Sequence, residues 1–138
     1  MLIVMKNNRI VLDSFAVISY FQKEQRSSHI VDLFKAAQKG ECKLILSLVN
    51  WGEIYYIIAR ARGKNHADQC LLLMEQLPIE LEEVSKELVL KAAYFKSKYS
   101  ISYGDCFAAA LAYQEQCPLL TGDPEFKKIE QEVKINWL

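Results

Sequence analysis

The chain has 138 residues, of which 51% are hydrophobic and 25% charged, and its 17 basic residues balance 17 acidic ones. This is ordinary globular composition at the length of one domain with one core, without a linker, an internal repeat or a low-complexity tract. A net charge of zero says nothing for or against a nucleic-acid partner, because a nuclease needs only a local basic rim beside an acidic site.

The four cysteines, Cys42, Cys70, Cys106 and Cys117, contain no C-x-x-C pair, and His29 and His66 are isolated. Cys/His zinc spacing is therefore absent, and the thiols are expected to be reduced and packed as small hydrophobes in a cytosolic protein. The opening MLIVM is too short for a signal-peptide core, and no apolar run approaches the ~20 residues that span a bilayer. The expectation is a cytoplasmic protein with no membrane partner. Asn7 and Asn8 set MLIVM apart, so residues 1–8 read as a loose extension or as the leader of an alternative start at Met5.

Taken in chain order, short β-like runs alternate with helical segments, which predicts an α/β domain around a central, mostly parallel sheet of about five strands flanked by helices. Arg9 to Leu12 reads as a buried strand ending at Asp13, and a short helix follows over Ser14 to Phe21. Ser27 and Ser28 can cap a second helix that Gly40 ends. Lys43 to Leu48 is the second strand. Asn50 to Arg62 is an apolar helical segment stopped by Gly63, and Ala67 to Leu77 is a helix closed by Pro78. Pro78 to Glu82 reads as the third strand. Ser85 to Tyr99 and Gly104 to Gln116 are helices, the second rich in alanines that permit close packing. Leu119 to Thr121 and Val133 to Trp137 complete the sheet.

Two of the acidic residues stand at strand ends. Asp13 directly follows IVL, and Asp123 follows LLTG. Where strands run parallel, this carboxyl edge is where α/β folds hold ligands. Each also has a plain structural reading: Asp13 as the N-cap of the helix behind it, and Asp123 as the opener of a turn before Pro124. Asp105 lies three residues after Ser102 in an S-x-x-D capping pattern, so it reads as a helix-cap carboxylate, a cleft acid, or both. Glu53 sits in a largely apolar helix, as a solvated seam or as an inward ligand.

Carboxylates sharing one cleft raise each other's pKa, and a divalent cation relieves the repulsion. Hard oxygen ligands without thiolate or imidazole suit Mg²⁺ or Mn²⁺. Two such ions about 4 Å apart can support hydrolysis of a phosphodiester. Ser14 and Thr121 can hold a carboxylate from behind. There is no histidine pair for metal-free acid–base cleavage of RNA and no G-x-x-x-x-G-K-[ST] loop for a nucleotide.

The blocks VLDSFAVISYF, NWGEIYYI, SYGDCFAAALA and LLTGDPEF, in this order and spacing, resemble the PIN domain, and most of all the toxin subunits of VapBC-type toxin–antitoxin pairs. The resemblance runs over nearly the whole chain from Arg9 onward. It places the family's acids on Asp13, Glu53, Asp105 and Asp123, as catalytic residues and metal ligands, with Ser14 and Thr121 as the accompanying hydroxyls. It implies a single PIN-like domain, Mg²⁺- or Mn²⁺-dependent cleavage of RNA, a homodimer, and an antitoxin whose C-terminal arm covers the active site. Gly104 departs from the family, in which a bulkier residue is commoner before the acid, and is expected to loosen the start of that helix.

Residues 53, 57, 60 and 64 fall on one face if the helix carrying Glu53 persists that far. Arg60 and Lys64, with Arg62 nearby, then either contact RNA phosphates or form an ordinary cationic helix end. Lys127 and Lys128 have the same two readings. Tyr55, Tyr56 and Phe107 read as core or as a groove for a dimer or antitoxin. The function expected is a toxin-type endoribonuclease. The alternatives are a housekeeping PIN nuclease in RNA maturation or decay and a non-catalytic PIN-like binding module. A receiver-type phosphoacceptor domain is set aside because a single aspartate, not an acidic pair, ends the first strand.

Overall fold

The computed structural model of the protein describes residues 8–22 and 27–138. Five strands form one sheet: β1 (Arg9–Leu12), β2 (Lys43–Ser47), β3 (Ile79–Glu82), β4 (Leu119–Thr121) and β5 (Ile135–Trp137). Their order is β3-β2-β1-β4-β5, and every pairing is parallel. Parallel neighbours need crossovers, here made by helices α1 (Ser14–Phe21), α2 (Ser27–Gln38), α3 (Leu48–Arg62), α4 (Lys64–Glu75), α5 (Lys86–Lys98) and α6 (Tyr103–Glu115).

Strand side chains alternate between two faces. Val11, Ile45 and Leu119 pack into one core with α5 and α6, while Ile10, Leu12, Leu44, Leu46 and Leu120 pack into the other with α1 to α4. Covered on both faces, the central strands read as continuous apolar runs rather than alternating ones. The run Cys106 to Ala112 in α6 is buried all round. Its alanines let the helix lie close to the sheet, as a helix without a polar face must.

The expected elements are present, with boundaries moved by local capping. β2 stops at Ser47, one residue early, because the Ser47 hydroxyl accepts from Val49 N (3.2 Å) and opens α3 at Leu48. α6 opens at Tyr103 on the Ser102 cap, one residue before the expected start at Gly104. Gly63 ends α3 at φ +92° and the next residue already begins α4, three residues before the expected start. The left-handed φ suits glycine there even though the space around it is open. A 3-10 helix over Pro124–Ile129 has no counterpart in the expectations.

The expectation for residues 1–8 falls outside the described residues except at Asn8, whose carbonyl accepts from Lys43 N (2.7 Å). All four cysteines are buried and unpaired, as expected of packed thiols. Among the described residues, no helix is long and apolar enough to cross a membrane.

Candidate active site

The parallel strands β1, β2 and β4 all end at one edge of the sheet, and the segments that leave them carry Asp13, Glu53 and Asp123. Asp13 follows β1. It is 1% exposed, and Oδ1 accepts from Ala16 N (2.8 Å), capping α1. Oδ2 accepts from the Thr121 hydroxyl at the end of β4 (2.5 Å). That hydroxyl in turn accepts from Asp123 N (3.0 Å). One threonine thus joins the two strand-end acids. Asp123 Oδ1 accepts from Glu125 N (2.9 Å) and caps the 3-10 helix. Both strand-end acids are caps, and both also belong to one cluster.

Glu53 and Asp105 arrive on helices. Glu53 Oε1 accepts from the Ser14 hydroxyl (2.9 Å) and from Asn50 Nδ2 (2.9 Å). The same Asn50 nitrogen donates to the Gly104 carbonyl (3.0 Å), tying α3 to α6. Asp105 N donates to the Ser102 hydroxyl (3.2 Å), so the capping pattern is realised while the acid also faces the cleft.

An open cleft of about 590 Å³ brings these elements together. Its polar lining includes Ser14, Glu53, Asp105, Asp123, Glu125 and Lys96, and its apolar lining is Phe15, Ile18, Ile57 and Ile101. Asp13 itself is buried and does not line the cleft.

Burial pushes the Asp13 carboxyl up to about 8 against the opposing Thr121 and Ala16 hydrogen bonds, with the charges of Asp105 and Asp123 adding to the rise. Burial likewise raises Asp105 to about 6, with Asp123, Glu53 and Glu125 adding repulsion. Burial is the main cause of both shifts, and the nearby charge of Asp123 adds to each. A positive charge placed among these carboxylates would relieve both.

The donor chemistry fits a hard divalent cation. The polar groups lining the cleft are oxygens, apart from Lys96, and the thiols are buried in the cores. Among the described residues, no three acidic, histidine or cysteine side chains are disposed as a ready-made cage. The hydrogen bonds above already hold Asp13, Glu53 and Asp123 to protein donors. Such a cluster suits an ion that keeps most of its water and takes one or two carboxylates.

Several expectations change. The stripe through residues 53, 57, 60 and 64 does not form, because α3 ends at Gly63 and Lys64 belongs to α4. Lys64 pairs there with Asp68 (2.8 Å), and Arg60 lies over the Tyr56 ring (5.3 Å). Neither they nor Arg62 line the cleft. Among the described residues, the cation that does is Lys96, whose ammonium donates to the Ile101 carbonyl (2.7 Å). Lys128 donates to the Ser100 carbonyl (2.9 Å) and pairs with Glu125 (2.6 Å) at the rim. Phe107 is core, Tyr55 donates to Asp68 (2.8 Å), and Tyr56 is exposed.

Sequence reasoning passed over Asn50, Lys96 and Glu125. Asn50 had a signal in its i, i+3 spacing from Glu53 on one helix face, and Glu125 stands two residues after Asp123. Lys96 had none.

The PIN domain family model matches residues 10–132, and the chain belongs to the PIN domain family. No curated protein sequence matches it significantly. Similar solved structures include VapBC2 from Rickettsia felis bound to a DNA fragment from its promoter (16% identity, 94% of this chain and 98% of that one, TM-score 0.76). DNA-bound VapBC from Salmonella typhimurium matches at 12% identity, 94% and 97% coverage and TM-score 0.73. VapC20 from Mycobacterium tuberculosis, a toxin that cleaves the sarcin–ricin loop, matches at 14% identity, 86% and 92% coverage and TM-score 0.67. At these identities the likeness is one of fold.

Proposed function

We propose that the chain is a metal-dependent endoribonuclease, the toxin of a toxin–antitoxin pair, with Asp13, Glu53, Asp105 and Asp123 as its catalytic acids and Mg²⁺ or Mn²⁺ as its cofactor. The observation that carries this is the meeting of four acids, from four separate stretches of sequence, at the carboxyl edge of one parallel sheet. A fold likeness to VapBC proteins supports an antitoxin partner, and a cytoplasmic place of action is part of the same proposal. A homodimer is proposed on the same family grounds.

When bound, a divalent cation supplies Lewis-acid stabilisation of the negative charge that builds on the scissile phosphate. The chain's own groups do the rest. Burial pushes the Asp13 carboxyl well above its ordinary range, so Asp13 would have to give up a proton in order to hold a cation. Thr121 fixes which oxygen of Asp13 faces β4, and the Asp123 backbone fixes Thr121. Lys96, held by the Ile101 carbonyl, presents an ammonium to a phosphate of the substrate. Phe15, Ile18, Ile57 and Ile101 give an apolar wall against which an unpaired base packs. Arg60, Arg62 and Lys64 lie outside the cleft and serve, in this reading, only a longer RNA.

The test is brief expression in a bacterial host followed by sequencing of RNA 5′ ends. New ends at one RNA class, absent with Asp13→Asn, are expected. Identical ends for the wild type and the variant would sink the proposal.

A further inference from the structure

We propose that Asn50 and Gly104 form a socket that seats the Glu53 carboxylate between α3 and α6, with Asn50 as a positioning residue and Gly104 as the vacancy the carboxylate fills. The consequence for metal uptake rests on the nuclease reading; the socket itself does not.

Asn50 is 0% exposed, in the first turn of α3. Its Nδ2 faces two groups that only accept: Glu53 Oε1 at 2.9 Å and the Gly104 carbonyl at 3.0 Å. A flipped amide would set oxygen against a carboxylate and a carbonyl, so its orientation is fixed by chemistry. Oδ1 is then left buried without a hydrogen-bond partner among the described residues. A half-satisfied buried amide is unfavourable, and an apolar residue of the same size would avoid the loss. The donor therefore has a use that packing does not supply.

Gly104 gives an independent observation. It lies in the first turn of α6, and its φ is not among the positive ones, so the backbone does not require glycine. Alanine would serve the helix better. A Cβ there would lie 2.1 Å from Glu53 Oε2 and 2.5 Å from Glu53 Cδ, inside any real contact. The Glu53 head group would have to give way, at the cost of its Ser14 and Asn50 hydrogen bonds. The departure from the family pattern thus has a physical reason: bulk is absent where the glutamate's head group sits. Because α3 packs mainly on one face of the sheet and α6 on the other, the socket also bridges the two layers at the edge where the acids meet.

The experiment is a double-mutant cycle read by thermal melting in chelator and by calorimetric Mn²⁺ titration of the folded proteins. Gly104→Ala lowers the melting temperature by about 3–6 °C when Glu53 is present. In the Glu53→Ala background it raises it by about 2–4 °C, because the three nearest atoms to that Cβ, all from Glu53, are gone and the helix gains. The same sign in both backgrounds overturns the socket. Asn50→Leu deletes the donor and the orphan acceptor together, so its melt in chelator stays within about 3 °C of wild type. Its Mn²⁺ affinity falls about 10–100-fold, as does that of Gly104→Ala. Unchanged Mn²⁺ affinity in both variants overturns the positioning role. A wild-type protein that takes up no Mn²⁺ counts against the nuclease reading instead, and the melting cycle then decides the socket alone.

Discussion

The four acids fall into two pairs that are held in different ways. Asp13 and Asp123 leave the ends of adjacent parallel strands and are joined through Thr121, so the sheet ladder fixes their separation. Glu53 rides on the second turn of α3 and Asp105 on the first turn of α6; Ser14 and Asn50 donate to Glu53, the Ser102 hydroxyl accepts from Asp105 N, and the bare Cα of Gly104 leaves room for the glutamate. The first pair is set by backbone and buries its key carboxylate. The second is set by side chains and stays open to the cleft. The strand pair should therefore tolerate change least, and the helix pair should respond to its neighbours.

The largest effect is expected from Asp13→Asn. Cleavage should fall more than about 100-fold, beyond what loss of a supporting neighbour costs a metal site. The same variant should melt higher than wild type in chelator at pH 8, because a buried group that resists ionisation is replaced by a neutral one. Glu53→Gln and Asp105→Asn should each lose about 10–100-fold in cleavage, with melting temperatures closer to wild type. If Glu53→Gln lost as much as Asp13→Asn, the division into a rigid and an adaptable pair would fail.

The pH dependence separates the pairs further. Folding raises the Asp13 pKa from 3.8 to about 8 and the Asp105 pKa to about 6. Between those limits the folded protein keeps protons that the unfolded chain has released, so stability falls as pH rises. In chelator, the melting temperature should drop from pH 5 to pH 8, and Asp13→Asn should remove most of that slope. Saturating Mn²⁺ should flatten it too, since a bound cation substitutes for the proton.

Smaller effects follow. Thr121→Val removes the donor to Asp13 Oδ2 and the acceptor for Asp123 N, at about 1–3 kcal/mol of stability by denaturant titration. Lys96→Ala should weaken RNA binding by a few fold and reduce its salt dependence by roughly one charge, with the fold intact. An unaltered salt slope would place the phosphate contacts elsewhere.

What the sequence revealed follows the same division. The strands, the parallel sheet and the strand-end aspartates were legible because apolar runs stopping at an acid reflect backbone constraints local to a few residues. The Asp13 cap and the Ser102–Asp105 capping pattern were legible too, and did not compete with membership of the cluster, whereas Asp123 was read as a turn opener and not as the cap of a 3-10 helix. Gly63 was read as a stop, yet not as a junction so tight that Lys64 leaves the Glu53 helix. The Asn50 bond to the Gly104 carbonyl and the vacancy at Gly104 depend on how α3 and α6 meet, and contacts between elements far apart in sequence leave no periodicity to read.

The most direct measurement is cleavage of a mixed RNA substrate by the purified protein, with Mn²⁺ and with chelator, beside Asp13→Asn. The account predicts cleavage by the wild type that requires Mn²⁺ and is lost in chelator and in the variant. Undiminished cleavage in chelator, equal cleavage by Asp13→Asn, or no cleavage in either case would contradict a metal-dependent nuclease built on these four acids.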